Sequence, residues 1–415
     1  MYDLRRFLPI LLCLLLCIPQ GMRAQENSSQ KTLREFRQMG LPYYEGNEMT
    51  LLPSGELKFR DMMERIRKAR RYIHVEYFKF KVDSIGTAFF RLLGQKMKEG
   101  VEVRMMYDGY GTRSSNDHRI FDAFVDSVRA TGLPLYAYDN MKFPWVNHAL
   151  HRDHRKIVVI DGEMAYIGGM NVCDYYIHGK PEVGEWRDMQ VRIQGPAVRE
   201  FEHIFSVMWY DVSGEILELN PAYDAVNISQ GDLPMIITDR QPRFQSSVMR
   251  DTYATAIDNA RELVQIVNPY PMNVRKIRRA IYRALKRGVR VELMVSANSD
   301  NKLVPEIVAI EMKKMLRRGA HVYYYEGGFH HTKVMTVDGT YCTVGSTNLD
   351  GRSLVFDFEV NAYVFNPQVT RQFQEIFERD KAEHCTELYY DEFKKRFSLR
   401  QRFLGRTVGV FKYFM

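Results

Sequence analysis

The pattern His-x-Lys-x4-Asp occurs twice in this chain of 415 residues, and the repetition constrains the fold more than any other feature. After each copy, at the same spacing from its histidine, comes an asparagine in a glycine-led turn: Asn171 first and Asn348 second. Internal repeats of this kind indicate a duplicated structural unit. The residues that define the two copies are His154, Lys156 and Asp161, and then His331, Lys333 and Asp338.

The segments before the two copies repeat one order of elements. Residues 59–108 and 252–300 each read as helix, strand, helix and strand. Strands that alternate with helices of this length are typical of βαβ units. We therefore predict an α/β fold of two duplicated halves, with mostly parallel or mixed sheets flanked by helices. A pseudo-two-fold axis between the halves would bring both motifs to one active site at their interface.

The chain divides into five segments by composition. A stretch with several prolines, mixed polar residues and no strong hydrophobic period is interpreted as the connection between the halves. The predicted segments are a leader at 1–24, a first half at 25–220, a linker at 221–243, a second half at 244–392 and a basic C-terminal tail at 393–415.

The leader has the pattern of an export signal. Arg5 and Arg6 precede the short apolar run 7–18, and Ala24 supplies a small residue before a cleavage point at Gln25. The run is too short for a comfortable membrane span. We predict a cleaved signal peptide, with an uncleaved signal anchor as the alternative. In both cases the body of the protein is exported.

The formal net charge of +8 favours anionic partners, a class that includes nucleic acid, anionic lipid and phosphate esters. The tail is strongly basic, because no acidic residue follows Glu392, and its apolar residues recur at helical steps. This pattern fits a basic amphipathic helix on a membrane surface. It fits equally a terminal helix that packs on the body with a solvated charged face.

The His-x-Lys pairs supply the groups that phosphodiester chemistry requires. Residues i and i+2 of a strand share a face, so each histidine should lie beside its lysine. One imidazole can attack phosphorus, and the other can serve as general acid and base. Ammonium and amide groups can stabilise the charge that develops on the phosphoryl oxygens. The predicted phosphate-binding residues are Lys156, Lys333, Asn171 and Asn348.

A reactive imidazole needs an acceptor at its other nitrogen, and Asp188 and Glu359, downstream of the first and second motif, are the candidates. Asp161 and Asp338 complete the pattern and belong to the candidate catalytic set. Their odd offset from the histidines, however, predicts a turn-stabilising role. No acidic group with the spacing of a Mg²⁺ or Ca²⁺ site stands beside the motifs, so we predict neither metal nor cofactor.

These residues resemble the phospholipase D superfamily, whose signature is the doubled His-x-Lys-x4-Asp. The resemblance to one branch, the bacterial cardiolipin synthases, extends over nearly the whole chain after about residue 45. The segments that carry it, besides the motifs, are 75–78, 107–111, 186–188, 195–198, 268–270, 345–353 and 358–361.

The resemblance implies a phosphatidyl transfer. Phosphatidylglycerol would donate its phosphatidyl group to His154 as nucleophile, with His331 as acid and base, and a second phosphatidylglycerol would accept it. The products would be cardiolipin and glycerol. The implied partner is an anionic phospholipid at a membrane surface. The implied location is the periplasmic side of the bacterial inner membrane, where the protein would be peripherally attached or anchored by an uncleaved signal.

Three other functions remain open from the sequence. The same site becomes a phospholipase D-type hydrolase, giving phosphatidic acid, when water resolves the intermediate. A phosphodiesterase or nuclease would share the chemistry and the positive charge, but no segment has the aromatic and basic pattern of a known nucleic-acid module, so no nucleic-acid partner is expected. A non-catalytic lipid-binding protein would have no need of both His-x-Lys pairs.

Overall fold

The computed structural model describes residues 26–138, 151–217, 223, 226, 228–242, 244, 246–271, 274–301 and 304–408. The predicted leader at 1–24 lies outside these residues, as do the last residues of the predicted tail.

Strands and helices alternate along most of the described chain. The strands are β1 Tyr43–Leu52, β2 Tyr72–Tyr77, β3 Glu102–Asp108, β4 Leu135–Tyr138, β5 Lys156–Ile160, β6 Met164–Gly168, β7 Trp186–Arg187, β8 Gln190–Gln194, β9 Leu233–Arg240, β10 Leu263–Val267, β11 Arg290–Ser296, β12 His321–Tyr325, β13 Phe329–His330, β14 Val334–Val337, β15 Tyr341–Gly345, β16 Glu359–Val364 and β17 Cys385–Leu388. The helices are α1 Ser28–Gln38, α2 Gly55–Lys68, α3 Ser84–Lys98, α4 Gly109–Arg113, α5 His118–Ala130, α6 Tyr175–His178, α7 Val198–Ser213, α8 Val248–Asn259, α9 Arg275–Lys286, α10 Val304–Leu316, α11 Gly351–Val355, α12 Pro367–His384, α13 Phe393–Arg396 and α14 Leu399–Val408.

Within the described residues, fifteen of these strands form one sheet in the order β17-β12-β11-β10-β14-β15-β16-β9-β1-β8-β6-β5-β2-β3-β4. The central neighbours are β1 and β9. Outward from them, the order β8-β6-β5-β2-β3-β4 on one side corresponds to β16-β15-β14-β10-β11-β12 on the other. The predicted α/β fold of two duplicated halves is therefore confirmed, and the halves share a single sheet.

The sheet is mixed. Parallel pairing is confined to β2–β3–β4 and to β10–β11–β12. The other neighbours in the large sheet are antiparallel, including β5 with β2 and β14 with β10. A mostly parallel sheet describes only the βαβ part of each half. The motif strands β5 and β14 are antiparallel to both of their neighbours, and the tight turns that join them to β6 and β15 account for one of the two pairings in each case.

Part of the predicted linker is a central strand. β9 lies within 221–243 and pairs with both β1 and β16. Ile236 is fully buried because both faces of this strand are covered. Pro234 weakened the strand pattern in the sequence, but it stands near the start of β9, where a proline is tolerated. Its carbonyl accepts the Phe365 N–H at 3.0 Å. The second half therefore begins at β9, within the predicted linker.

Helix α1 belongs to the predicted first half by position but packs on the second half. The ring centroids of Phe36 and Tyr363 are 4.9 Å apart, and the Thr32 and Tyr341 hydroxyls are within 3.0 Å. The assignment of this segment to the first half is wrong for α1. The reason is that β1 adjoins β9. A helix that precedes β1 can therefore reach across the seam, the boundary between the two halves.

Helices cover both faces of the sheet. The motif strands lie between these two layers of helices and contribute side chains to both. In β5, Val158 and Ile160 face the core beneath α2 and α3, whereas Ile157 and Val159 face the core beneath α7. Because side chains alternate along a strand, Lys156 shares its face with Val158. The first motif therefore opens towards the layer that contains α2 and α3.

The aspartates that close the two motifs stabilise turns. Asp161 and Asp338 have left-handed backbones, with φ of 56° and 50°, a conformation that aspartate tolerates better than most residues. The Asp161 carboxylate accepts the backbone N–H groups of residues 70, 71 and 72 at 2.8, 2.7 and 2.9 Å. Asp338 accepts the same three bonds from residues 261, 262 and 263, each at 2.9 Å. Each aspartate thus ties the turn after a motif strand to the start of β2 or β10.

Asp161→Ala should destabilise the fold without changing the chemistry. The substitution leaves three backbone donors without their acceptor, so we expect the free energy of unfolding to fall by about 3 kcal/mol. Urea unfolding measures this loss, and Asp126→Ala, at an exposed position of α5, is the control. A loss below about 1 kcal/mol, or a large fall in turnover per folded molecule, would contradict the structural role.

Candidate active site

Each motif histidine is anchored by the opposite half of the chain. The backbone N–H of His154 donates to the carbonyl of Phe358 at 3.1 Å, and that of His331 donates to the carbonyl of Arg187 at 2.7 Å. Next to the second contact, β7 and β13 pair in parallel as a separate two-stranded sheet. The polypeptide backbone therefore brings both motifs to the seam between the halves.

The side chains repeat the crossed arrangement. His154 Nδ1 lies 2.9 Å from Glu359 Oε1, and His331 Nδ1 lies 2.7 Å from Asp188 Oδ2. The residue whose carbonyl binds a histidine backbone is thus followed directly by the carboxylate that binds the same imidazole. This leaves Nε2 as the nitrogen of each ring available for chemistry. Both carboxylates were identified from the sequence, but their exchange between the halves was not, because nothing within one half encodes its partner.

The two glycine-led turns contact the carboxylates of Asp188 and Glu359 in different ways. A Cβ atom at Gly169 would lie 2.4 Å from Asp188 Oδ1, so the short aspartate requires glycine at this position. The corresponding residue of the second turn is Ser346, whose hydroxyl donates to Glu359 Oε2. Both carboxylates are almost completely buried. Burial raises the pKa of Asp188 to about 7 and also raises that of Glu359, although the nearby lysines oppose both shifts.

The two imidazoles are held in the neutral form. Burial, followed by the charge of the motif lysines, lowers the pKa of His154 and of His331 well below the usual value. A neutral ring with a carboxylate at Nδ1 has a lone pair at Nε2, the form that can attack an electrophile.

The motif lysines lie behind the histidines. Lys156 Nζ donates to the carbonyl of His154, and Lys333 Nζ donates to the carbonyl of His331 at 2.5 Å. Lys333 Nζ also lies 3.1 Å from each ring nitrogen of His331. Burial lowers the pKa of Lys156 to about 7 and that of Lys333 to about 8. Neither lysine lines the cavity in front of the histidines, whereas both asparagines of the turns do.

Asn171 and Asn348 present polar atoms that have no partner within the described residues. Asn171 Nδ2 donates to the Tyr176 hydroxyl at 3.1 Å, and its Oδ1 is buried without a hydrogen bond. Asn348 Oδ1 is buried and unpaired in the same way. Buried polar groups are normally satisfied, so two such atoms at one cavity indicate that a bound molecule completes them.

The cavity has a volume of about 210 Å³ and contains both histidines. Most of its wall consists of residues to which the sequence assigned no role in the site, although some of them lie in the segments that carry the family resemblance. Those residues are Phe78, Lys79, Tyr175, Tyr176, Trp186, Tyr270, Asp300, Asn301, Val304, Asp350, Arg352, Ser353 and Asp357. Asp161 and Asp338, the other two residues of the candidate catalytic set, do not line this cavity. In the part of the chain that the structure describes, no group of three or more His, Cys, Asp or Glu residues could hold a metal ion.

Two α/β halves that face each other across one cavity, each providing a His-x-Lys pair and a carboxylate for the other's histidine, define a phospholipase D-like protein. The chain belongs to the family described as cardiolipin synthase, PLD-like domain, whose model matches residues 62–209 and 253–381. The family named on the basis of the doubled motif is thereby confirmed.

Several bacterial proteins are similar to this chain over most of its length. A probable cardiolipin synthase, YwiE, of Bacillus subtilis is 33% identical over 81% of this chain and 66% of its own length. A cardiolipin synthase of Geobacillus kaustophilus is 31% identical over 84% of this chain and 69% of its own. The chain thus spans about two thirds of the length of these relatives. A solved structure of Haemophilus influenzae phosphatidylserine synthase has the same fold, with a TM-score of 0.71, 14% identity and coverage of 94% of this chain and 100% of that one.

Removal of either crossed carboxylate should disable the histidine of the opposite half. We expect Asp188→Asn and Glu359→Gln each to lower kcat for phosphodiester turnover by about 10³- to 10⁴-fold, because an amide favours the wrong tautomer of the imidazole. Steady-state kinetics, with folding checked by circular dichroism, measures the effect.

Glu202→Gln is the matched control, since Glu202 binds the buried His74 at 2.8 Å outside the cavity. It should change kcat by less than about threefold. Equal losses in all three variants would mean that the carboxylates only support the fold.

Proposed function

We propose that the protein is a phosphatidyltransferase that converts two molecules of phosphatidylglycerol into cardiolipin and glycerol. The observation that carries the proposal is the pair of crossed histidine–carboxylate contacts at one cavity, in a chain of the cardiolipin synthase family. One reactive nitrogen from each half is what a two-step displacement at a single phosphorus requires.

In the first step, His154 Nε2 attacks the phosphorus of phosphatidylglycerol. A nitrogen–phosphorus bond forms, and the bond from phosphorus to the headgroup oxygen breaks. His331, which takes up a proton when the anionic phosphodiester binds beside it, gives its Nε2 proton to that oxygen, so that glycerol leaves as a neutral alcohol. Glu359 orients His154, and Asp188 stabilises the protonated form of His331 before the transfer.

In the second step, a second phosphatidylglycerol enters with its free hydroxyl towards His331. The neutral His331 takes the hydroxyl proton while the oxygen attacks phosphorus, and the nitrogen–phosphorus bond to His154 breaks. Cardiolipin is released, and both histidines return to their starting protonation states. No redox or metal step is needed for this balance.

Charge on the phosphoryl oxygens is stabilised by Lys156, Lys333 and the two asparagines. A lysine ammonium that donates to a backbone carbonyl in the free protein can turn towards a phosphate, since lysine has three donors. Each asparagine amide has two N–H donors at Nδ2 for the same oxygens, and its Oδ1 can still accept a hydrogen bond from a hydroxyl group. These groups act in a buried site, where electrostatic stabilisation is stronger than in water.

Export and attachment to the outer face of a bacterial membrane form part of the same proposal. They rest on the leader pattern at 1–24 and on the basic tail. Helix α14 packs on α10, but Leu399 and Phe403 on it are exposed, as are Lys395 and Arg400 around its start. Within the described residues, no helix has both the length and the apolar character needed to cross a bilayer.

A product assay tests the function. Protein that lacks residues 1–24 is added to vesicles of labelled phosphatidylglycerol with a chelator present. Cardiolipin and glycerol in equal amounts are expected. Phosphatidic acid as the sole lipid product would replace the transferase by a hydrolase, and no turnover would contradict both.

The histidine variants in the same assay separate the two roles. His154→Ala should form no covalent phosphatidyl adduct, whereas His331→Ala should form one slowly and turn it over slowly. An adduct that persists in His154→Ala and is lost in His331→Ala would reverse the assignment of the nucleophile.

The pH optimum of kcat/KM should be lower than that of a site whose histidines and lysines have their usual pKa values. The nucleophilic imidazole stays neutral below the usual histidine range, because its pKa is lowered. The ammonium groups of Lys156 and Lys333 exist only below their pKa values of about 7 and about 8, so their stabilisation of the transition state is lost as the pH rises through that interval. We expect kcat/KM to fall above about pH 8 in a profile measured from about pH 5 to about pH 9. A rate that continues to rise to about pH 9 would be incompatible with cationic lysines in the transition state.

A further inference from the structure

The two walls of the cavity differ in charge. The wall from the first half is aromatic and basic: it contains Lys79, and Lys180 Nζ lies 4.4 Å from the Tyr175 ring centroid and 4.5 Å from that of Trp186. The wall from the second half carries the carboxyl groups of Asp300, Asp350 and Asp357. The pseudo-two-fold symmetry of the fold is therefore broken at the site where the substrate binds.

The spacing from the turn asparagine to the following aspartate is one residue shorter in the second half, and this difference accounts for the position of Asp350. Leu349 alone separates Asn348 from Asp350, whereas two residues separate Asn171 from Asp174. Both aspartates precede a short helix, α11 or α6. Asp174 does not line the cavity, and it accepts the backbone N–H groups of Ser84 at 3.1 Å and Ile85 at 2.6 Å. Asp350, by contrast, lines the cavity.

Asp350 has hydrogen-bonding capacity to offer a ligand. Its Oδ1 accepts the Ser353 N–H at 2.8 Å, and its Oδ2 has no partner among the described residues. Burial raises the pKa of Asp350 to about 8, so near neutral pH the group is mostly an uncharged acid with a hydroxyl donor and a carbonyl acceptor. Asn348, two residues earlier, is 6% exposed, and its buried Oδ1 is an unpaired acceptor.

His331 lies between the two walls. Its ring centroid is 6.3 Å from that of Tyr270 and 5.5 Å from that of Trp186 in the first-half wall, and the Tyr270 hydroxyl donates to Asp300 at 2.5 Å on the exposed rim. His331 is the residue that exchanges a proton with the alcohol in the proposed reaction. The headgroup that leaves, and the hydroxyl that later attacks, must both lie near His331, in the cavity that Asn348 and Asp350 also line.

We infer that Asp350 and Asn348, with Asp300 at the rim, form a subsite for the hydroxyl groups of a polyol headgroup. The inference rests on the proposed function and specifies its alcohol. An alcohol hydroxyl can donate to Asn348 Oδ1 as the amide stands, and the neighbouring hydroxyl of a glycerol unit can exchange hydrogen bonds with Asp350. A cationic amine headgroup fits less well, because an uncharged Asp350 offers it no counter-charge and Lys333 and Arg352 lie close by.

The choice of donor lipid tests the subsite independently of the fate of the intermediate. Vesicles contain phosphatidylglycerol, phosphatidylpropanol and phosphatidylethanolamine in equal amounts, so that an acceptor hydroxyl is always present, and the release of glycerol, propanol or ethanolamine measures the consumption of each lipid as donor whatever the product. Phosphatidylpropanol has the same three-carbon headgroup without the two free hydroxyls. We expect the wild-type protein to consume phosphatidylglycerol at least about tenfold faster than either alternative, since lost partners leave buried polar groups unpaired.

Variants at the two pseudo-equivalent aspartates provide the matched comparison. Asp350→Ser keeps a residue that can cap α11 but withdraws the oxygen that faces the cavity, and it should reduce the preference for phosphatidylglycerol over phosphatidylpropanol about tenfold. Asp350→Asn, which resembles the uncharged acid, should keep the preference to within about threefold. Asp174→Ser should leave it unchanged. Asp300→Ala, at an exposed position, should reduce it about threefold and serves if Asp350→Ser does not fold.

The outcomes separate the two proposals. Preferential consumption of phosphatidylglycerol to phosphatidic acid alone would overturn the transferase and leave the polyol subsite standing. Equal use of phosphatidylglycerol and phosphatidylpropanol, or an unchanged preference in Asp350→Ser, would overturn the subsite while cardiolipin formation continued. Faster use of phosphatidylethanolamine, abolished in Asp350→Asn, would identify an amine site with an ionised Asp350. No consumption of any of the three lipids would remove both proposals.

Discussion

The contact on which the active site depends is the hydrogen bond from each histidine to a carboxylate of the other half. His331 Nδ1 to Asp188 Oδ2, at 2.7 Å, and His154 Nδ1 to Glu359 Oε1, at 2.9 Å, tie the halves together at the reacting groups. An unpaired carboxylate buried this deeply would be costly. The imidazoles and the nearby lysine ammonium groups reduce that cost. The chemistry and the association of the halves thus use the same bonds.

Burial sets the protonation states in this seam. It keeps the histidines neutral and weakens the lysines as acceptors of protons, while it raises the pKa of the carboxyl groups around them. The Asp188 carboxyl group and the ammonium groups of Lys156 and Lys333 then have pKa values of about 7, about 7 and about 8, so protons can move between these three groups at small cost. An exposed site with the same residues would hold ordinary lysines, histidines and carboxylates, whose pKa values lie much further apart.

Features that depend on neighbouring residues in the chain can be predicted from the sequence. Features that depend on contacts between distant segments cannot. The order helix, strand, helix and strand in 59–108 and 252–300 is predicted correctly, because local runs of apolar residues determine strands such as β2 and β10. β9 was missed because Pro234 interrupts its pattern, and only the neighbours β1 and β16 make its burial evident. His154 and Glu359 were both identified, but their pairing is a contact between distant segments that no local pattern contains. Asp350 lies in the segment 345–353 that carries the family resemblance, but its place in the cavity wall was not predicted, because it depends on the spacing of a turn in three dimensions.

The seam between β1 and β9 has a consequence for the origin of the chain. These strands pair antiparallel at the centre of the sheet, and the strand order on either side of them matches. A two-fold axis that relates two separate copies of one half would produce the same edge-to-edge pairing and the same exchange of carboxylates. A single half has no complete site, so an ancestor of this size would have been active only as a homodimer. With both halves in one chain, each wall of the cavity can change alone, which is impossible in a symmetric dimer.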